Sequence, residues 1–235
     1  MIATINKLNW DSDFFKANIG EVTLNDSNQI DDSQVQDFNL IVIKQEKDTS
    51  IHLKNFSKHF EETKYVFVKQ LTENIKSQTS CFEVFNTDDQ PIDASLFYNL
   101  AYESGKYSRF KLDQHFPENS FERLYQLWVL NSVNKQFADK VFYIKHTNQS
   151  IVGFATVRKH KKHASIGLIA VSEGFQGQGI GKLLLRDVET YCLSQQISEL
   201  QIPTQKKNTI ACSFYKKNGY SVLEETIIKH YWNNN

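Results

Sequence analysis

The feature that most constrains this chain is Gln-Gly-Gln-Gly-Ile-Gly at residues 176–181, just beyond the apolar run Ile166–Val171. Three glycines in six residues, between a strand-like run and a helix-like one, call for a backbone that turns tightly and comes close to a partner. Seven of the nine glycines lie between Gly153 and Gly219, so close approach belongs to the C-terminal half. Free amides at a helix N-terminus and the positive end of its dipole suit such a turn to an anion. Two common phosphate signatures nevertheless fail. A Walker loop needs Gly where Gln176 stands and Ser or Thr where Leu183 stands. The dinucleotide fingerprint would need Gly at Lys182 or Leu184.

The pattern around this turn alternates strands and helices. Residues 1–90 carry short β-like runs (Leu40–Lys44, Tyr65–Lys69, Cys81–Phe85) and read as a small α/β unit. A polar, proline-closed segment, Asn86–Pro91, reads as the linker to a second domain over 91–235. There the spacing predicts helices over Asp93–Glu103 and Ser120–Val133, with Ser120 as cap and Arg123 in place of a capping-box Glu. A hairpin is expected from Val141–His146 and Ile151–Arg158 around Asn148-Gln149, then a strand over Ser165–Val171. Gly179–Gln195 reads as a helix with Ile180, Leu184, Val188 and Tyr191 on one face. A strand over Leu200–Pro203, a helix over Thr209–Lys217 closed by Asn218-Gly219 and a strand over Tyr220–Trp232 complete the chain.

Several function classes are disfavoured. Lys plus Arg and Asp plus Glu number 27 each, so no net field draws the protein to nucleic acid or an anionic membrane, and Lys159–Lys162 and Lys206-Lys207 read as solvated loop charge. No leader-like N-terminus and no run of eighteen apolar residues is present, which makes a cytoplasmic location the expectation. Cys81, Cys192 and Cys212 lack CxxC spacing; no disulfide framework or metal site is indicated, and they read as reduced packing residues.

What the turn does match is Gln/Arg-x-x-Gly-x-Gly/Ala, met by Gln176, Gly179 and Gly181. Downstream, Asn208, Ala211, Phe214-Tyr215 and Gly219-Tyr220 follow in the order N…A…FY…GF. Together these resemble the GNAT family of acyl-CoA-dependent N-acyltransferases over Leu124–Trp232. The resemblance implies an α/β fold with a mixed, mostly antiparallel central sheet flanked by helices, here with the smaller N-terminal α/β domain before it. Leu8–Phe15, Gly105–Phe110, Leu124–Val133 and Val152–Arg158 are also similar to the bacterial dTDP-fucosamine acetyltransferase family. That likeness implies acetylation of the amino group of dTDP-4-amino-4,6-dideoxygalactose, and a homodimer; before residue 90 it is confined to Trp10–Phe15.

By the same resemblance acetyl-CoA is the co-substrate, without a metal. Its pyrophosphate falls to Gln176, Gly177, Gln178, Gly179, Ile180, Gly181 and Lys182, and its pantetheine to the main chain of Ile169, Ala170 and Val171, where the strand is expected to part from its neighbour at a bulge. Asn208 would bond to the coenzyme, and Tyr215, protonated at neutral pH, would give a proton to the leaving thiolate. A nucleotide sugar needs a cation and flat surfaces, and Tyr107, Ser108, Arg109 and Phe110 supply those types. An ion pair for Arg109 and core packing for Phe110 stay open beside that role. No general base is assigned; His163 and Glu173 flank the strand but read as solvated. Two other readings stand beside this one: an acetyltransferase for a peptide N-terminus or small free amine, and a non-catalytic acyl-CoA sensor.

Overall fold

A computed structural model describes residues 1–25, 27, 29–73, 81–146 and 149–234. Their strands are Asn6–Lys7 (β1), Ile19–Leu24 (β2), Leu40–Gln45 (β3), Phe56–Gln70 (β4), Val84–Asn86 (β5), Lys140–Lys145 (β6), Ile151–Lys159 (β7), Ala164–Val171 (β8), Glu199–Gln205 (β9) and Ser221–Asn233 (β10). Helices are Asn9–Phe15 (α1), Tyr98–Gly105 (α2), Arg109–Leu112 (α3), Ser120–Val133 (α4), Ile180–Ser194 (α5) and Thr209–Lys217 (α6). The strands form one sheet in the order β1-β2-β3-β10-β4-β9-β8-β7-β6-β5, parallel at β2/β3 and β8/β9 and antiparallel elsewhere. No described helix is long and apolar enough to cross a membrane.

The two-residue period of a strand sends neighbouring side chains to opposite faces. Val141, Tyr143 and Phe154 pack with Leu100 and Ala101 of α2 and Leu124 and Val129 of α4. Phe142, Ile144 and Ala155 pack instead with Leu184 and Val188 of α5 and Tyr215 of α6. The sheet therefore separates α2 and α4 from α5 and α6. A third cluster, with Val22, Leu24, Ile41, Ile43 and Leu53, lies at the N-terminal strands.

The described residues among 1–90 do not form a sheet of their own. β4 pairs with β10 from Val68↔Ser221 to Phe56↔Asn233 and with β9 from Lys64↔Gln205 to Gln70↔Glu199, so a strand from before the expected boundary sits between two from after it. The expected linker is likewise tied down, because Asp88 pairs with Lys135 at 2.6 Å and Lys140 at 2.9 Å. The helix expected over 93–103 is a 3₁₀ turn at Ala94–Phe97 followed by α2. Ser120 does not cap α4: Asn119, left-handed at φ 61, holds the N-cap position without a side-chain bond. β6 and β7 do pair as a hairpin; of its expected turn, Gln149 is left-handed and Asn148 lies outside the described residues. Cys192 and Cys212 are buried, whereas Cys81 is exposed and packs no core.

Gly105 shows how α2 and α4 come together. A methyl group there would overlap the ring of Tyr125 on α4. Gly105→Ala is expected to destabilise the fold by about 1–3 kcal/mol through overpacking, read as a lower urea midpoint at unchanged slope.

Candidate active site

β8 and β9 start as paired neighbours and then part. Their parallel register holds only at Ala164↔Leu200 and Ser165↔Gln201. On its other side β8 bulges: Val157 faces Ile166 and Ala155 faces Ile169, leaving Gly167 and Leu168 to share Thr156, whose Oγ1 accepts from the Leu168 amide at 2.9 Å. Beyond Ser165 the strands border a cleft of about 660 Å³, lined by Ile166–Val171 from β8 and Ile202–Gln205 from β9. A gap between sheet neighbours leaves main-chain groups without ladder partners, and these can hold an extended, amide-bearing ligand.

One end of the cleft is the glycine turn. Gly177 and Gly179 have φ of +77° and +84°, a left-handed backbone that glycine adopts without strain, and nothing lies within 4 Å of where a Cβ would sit on either. The cradle is open, not plugged by side chains. Gly181 serves packing instead, since a Cβ there would stand 3.1 Å from the Phe214 ring. The first backbone bond of α5 runs from Leu183 N to Gly179 O, so the amides of Ile180, Gly181 and Lys182 precede the helical ladder and are free for an anion. Gln176 Nε2 donates to Val171 O at 3.1 Å, tying the turn to the end of β8. Gln178 donates to Gly174 O at 3.2 Å and does not line the cleft. These residues fit the phosphates and pantetheine arm of coenzyme A.

α6 closes the same side. Asn208 caps it, Oδ1 accepting from the Ala211 amide at 3.1 Å, and itself lines the cleft. Tyr215, two turns later, also lines the cleft and is 3 % exposed, its ring 5.4 Å from that of Phe67. Burial, with the neighbouring Cys212 adding to it, pushes the Tyr215 phenol well above its ordinary range, so it stays protonated at neutral pH.

Across the sheet the cleft is walled by Glu103, Lys106, Tyr107–Phe110, Tyr125 and Trp128. Tyr107, Ser108, Arg109 and Phe110 thus lie on the same cleft as the glycine turn, but two of them have other partners too. Arg109 stands 3.9 Å from Glu62 and 4.6 Å over the Phe110 ring, and Phe110 stacks on Phe15 at 5.5 Å. Phe110 is therefore engaged in the core as well as at the cleft.

Sequence reasoning missed Glu62 and Lys64 of β4, which complete this wall. Glu62 is 5 % exposed, and burial pushes its carboxyl up to about 6 against the pull of Arg109, Lys64 and Lys207. Burial and the Arg109 charge lower Lys64. His163 stacks on His160 outside the cleft, and Glu173 is exposed at the 3₁₀ turn before the glycines, so neither reaches the site.

Behind Arg109 a buried network fixes the segment. Asp113, at the end of α3, accepts from His230 Nδ1 at 2.6 Å, Trp232 Nε1 at 2.9 Å and the His115 amide at 3.1 Å.

Comparison with known proteins accords with this geometry. The profile of the acetyltransferase (GNAT) family matches residues 101–220. The chain is 25% identical over 143 residues, 61% of its length, to the spore coat polysaccharide biosynthesis protein SpsD of Bacillus subtilis; the match spans about half (49%) of that relative. It is 28% identical over 124 residues, 49% of this chain and 84% of the relative, to the ribosomal protein bS18-alanine N-acetyltransferase of Haemophilus ducreyi. Its fold is similar to that of a functionally unknown conserved protein from Staphylococcus epidermidis (TM-score 0.64, 14% identity, 93% of this chain and 86% of that one). A parted strand pair, an open glycine turn and a family match over half the length lead to one conclusion: the chain belongs to the acetyltransferase (GNAT) family.

Proposed function

We propose that the protein transfers an acetyl group to the amino group of a nucleotide-linked amino-deoxy sugar, with dTDP-4-amino-4,6-dideoxygalactose as the acceptor. The observation that carries this reading is the cleft itself, which runs between the parted strands from the glycine turn to a wall bearing Lys64, Lys106, Arg109, Tyr107, Tyr125 and Trp128. Cations and flat rings together suit a nucleoside diphosphate, whereas a peptide N-terminus needs neither. Similarity to a polysaccharide biosynthesis protein supports the same class.

Acetyl-CoA supplies an activated acetyl thioester. The amides of Gly177 and Gly179–Lys182 hold its pyrophosphate, Asn208 bonds its arm, and the main chain of Ile169–Val171 polarises the carbonyl as an oxyanion donor does. Tyr215 donates its proton to the departing sulfur. Arg109 and Lys64 orient the acceptor's diphosphate, with Tyr107 and Ser108 beside them.

A second reading, acetylation of a peptide N-terminus or small amine, is favoured by the similarity to the bS18-alanine acetyltransferase. Incubation with acetyl-CoA and dTDP-, UDP- and GDP-linked amino sugars, or a peptide with N-terminal alanine, separates the two by thiol release. Turnover of the dTDP sugar, weaker with the other nucleotides, is expected; turnover of the peptide alone would overturn the sugar reading.

A further inference from the structure

We propose that Glu62 is the general base of the reaction, the buried carboxylate that takes the proton from the acceptor's ammonium. This rests on the acetyl-transfer reading above, though not on the acceptor being a sugar. Three observations on position carry it. Glu62 lines the same cleft as Tyr215. It projects to the acceptor face of the sheet, because its cross-strand partner Ile228 packs in the cluster of α2 and α4, and paired residues share a face. Its Oε2 is buried and has no hydrogen-bond partner among the described residues, while Oε1 stands 3.9 Å from Arg109. A buried carboxylate oxygen left unpaired is costly, and an ammonium entering the cleft would supply the missing donor.

The surroundings allow it to work near neutral pH. Facing Glu62 are Arg109 from α3, Lys64 from its own strand, Lys207 from the loop before α6 and Tyr125 from α4. His230 of β10 lies on the same face beside Ile228; burial pushes its pKa down, keeping it neutral. Burial outweighs the three cations, so Glu62 titrates at about 6, basic enough to accept an amine proton and ionised at pH 7.

The protons balance. The ammonium gives one proton to Glu62 Oε2, which later passes it to water. The freed nitrogen bonds to the acetyl carbon as the C–S bond breaks. It loses a second proton to water as it becomes an amide, matching the one Tyr215 gives to sulfur and regains from water. The sum is one amide, one thiol and one proton released.

The test is the pH profile of kcat/KM for acetyl transfer to dTDP-4-amino-4,6-dideoxygalactose by the full chain and by Glu62→Gln. The unaltered protein is expected to gain activity through an inflection near pH 6. In Glu62→Gln activity at pH 6.5 should fall roughly tenfold, with the inflection moved up to the amine's own and the two curves converging at alkaline pH. Coenzyme A affinity should not change. Because burial opposes this charge, the variant is expected to melt no lower than the unaltered protein at pH 7.5. A readout apart from turnover is the glutamate carboxyl 13C spectrum, where one resonance, absent from Glu62→Gln, should titrate near pH 6 and shift when the sugar is added. Equal profiles for the two proteins, or a Glu62 resonance titrating near the ordinary ~4.3, would overturn the proposal. Should the sugar be inert, the acceptor reading falls, and the same profiles taken on the N-terminal alanine peptide decide Glu62 separately. Inertness of both amines would sink the two readings together.

Discussion

Tyr215→Phe is expected to lower kcat roughly a hundredfold while coenzyme A binding stays the same. The substitution removes one oxygen and keeps the ring that packs against Phe67, so α6 and its Asn208 cap should be undisturbed. The phenol is suited to one task, because burial holds its proton on at neutral pH. In the proposed reaction its proton passes to the sulfur in concert with C–S cleavage, because a free thiolate, whose thiol ordinarily titrates at about 8.5, is a weaker base than this phenolate, which then regains a proton from water. Acetyl-CoA turnover followed by thiol release, with coenzyme A affinity measured by calorimetry, checks the split between kcat and binding. Unchanged turnover would remove Tyr215 from the mechanism and leave the fold assignment standing.

Asp113→Ala is expected to cost about 3–5 kcal/mol of stability. Its carboxylate accepts bonds from His230, Trp232 and the His115 amide, all from one buried position. Since an ionised carboxylate only accepts, His230 carries its proton on Nδ1, and truncation strands that donor and the indole N–H in the core. Burial pushes the Asp113 pKa up, but the bonds from His230 and Trp232 outweigh it and hold it at about 2. The sign follows from linkage. A carboxyl depressed in the folded state contributes stability that is present above its ordinary value of 3.8 and lost as pH falls toward 2. Urea unfolding at pH 7 and pH 3 should show the gap between the parent and Asp113→Ala narrowing at the lower pH. Asp113→Asn keeps one acceptor oxygen and should lose less. Because Asp113 ends the helix that carries Arg109, the alanine variant should also weaken acceptor binding more than coenzyme binding.

The C-terminal half was legible in the sequence because its signals are local. Glycines with left-handed backbone, the Asn218-Gly219 stop of α6 and an apolar stripe along α5 each depend on neighbours within a few residues. The parted strands leave no local signal: Ile166–Val171 reads as an ordinary core strand, and neither the end of its pairing with β9 at Ser165 nor the bulge at Gly167-Leu168 against β7 is marked by its residues. β4 was harder still. Only Tyr65–Lys69 alternates visibly; the preceding Ser57–Lys64 carries His59, Glu61, Glu62 and Lys64, which suggests solvent. Those residues belong to a strand at the sheet's centre whose acceptor face borders a cleft, so Glu62 was hidden by the polarity that makes it useful. The boundary expected near residue 90 misread the same strand, since sequence order gives no hint that β4 returns between β10 and β9.

Backbone hydrogen exchange of the free protein and of the protein saturated with coenzyme A bears most directly on the cleft's role. Slower exchange is expected at residues 169–171, 177, 179–182, 208, 210 and 211, which border the cleft between the parted strands and the glycine turn. Unchanged exchange at those residues, or slowing confined to the separate cavity bordered by Asp48, His52 and Lys229, would contradict it.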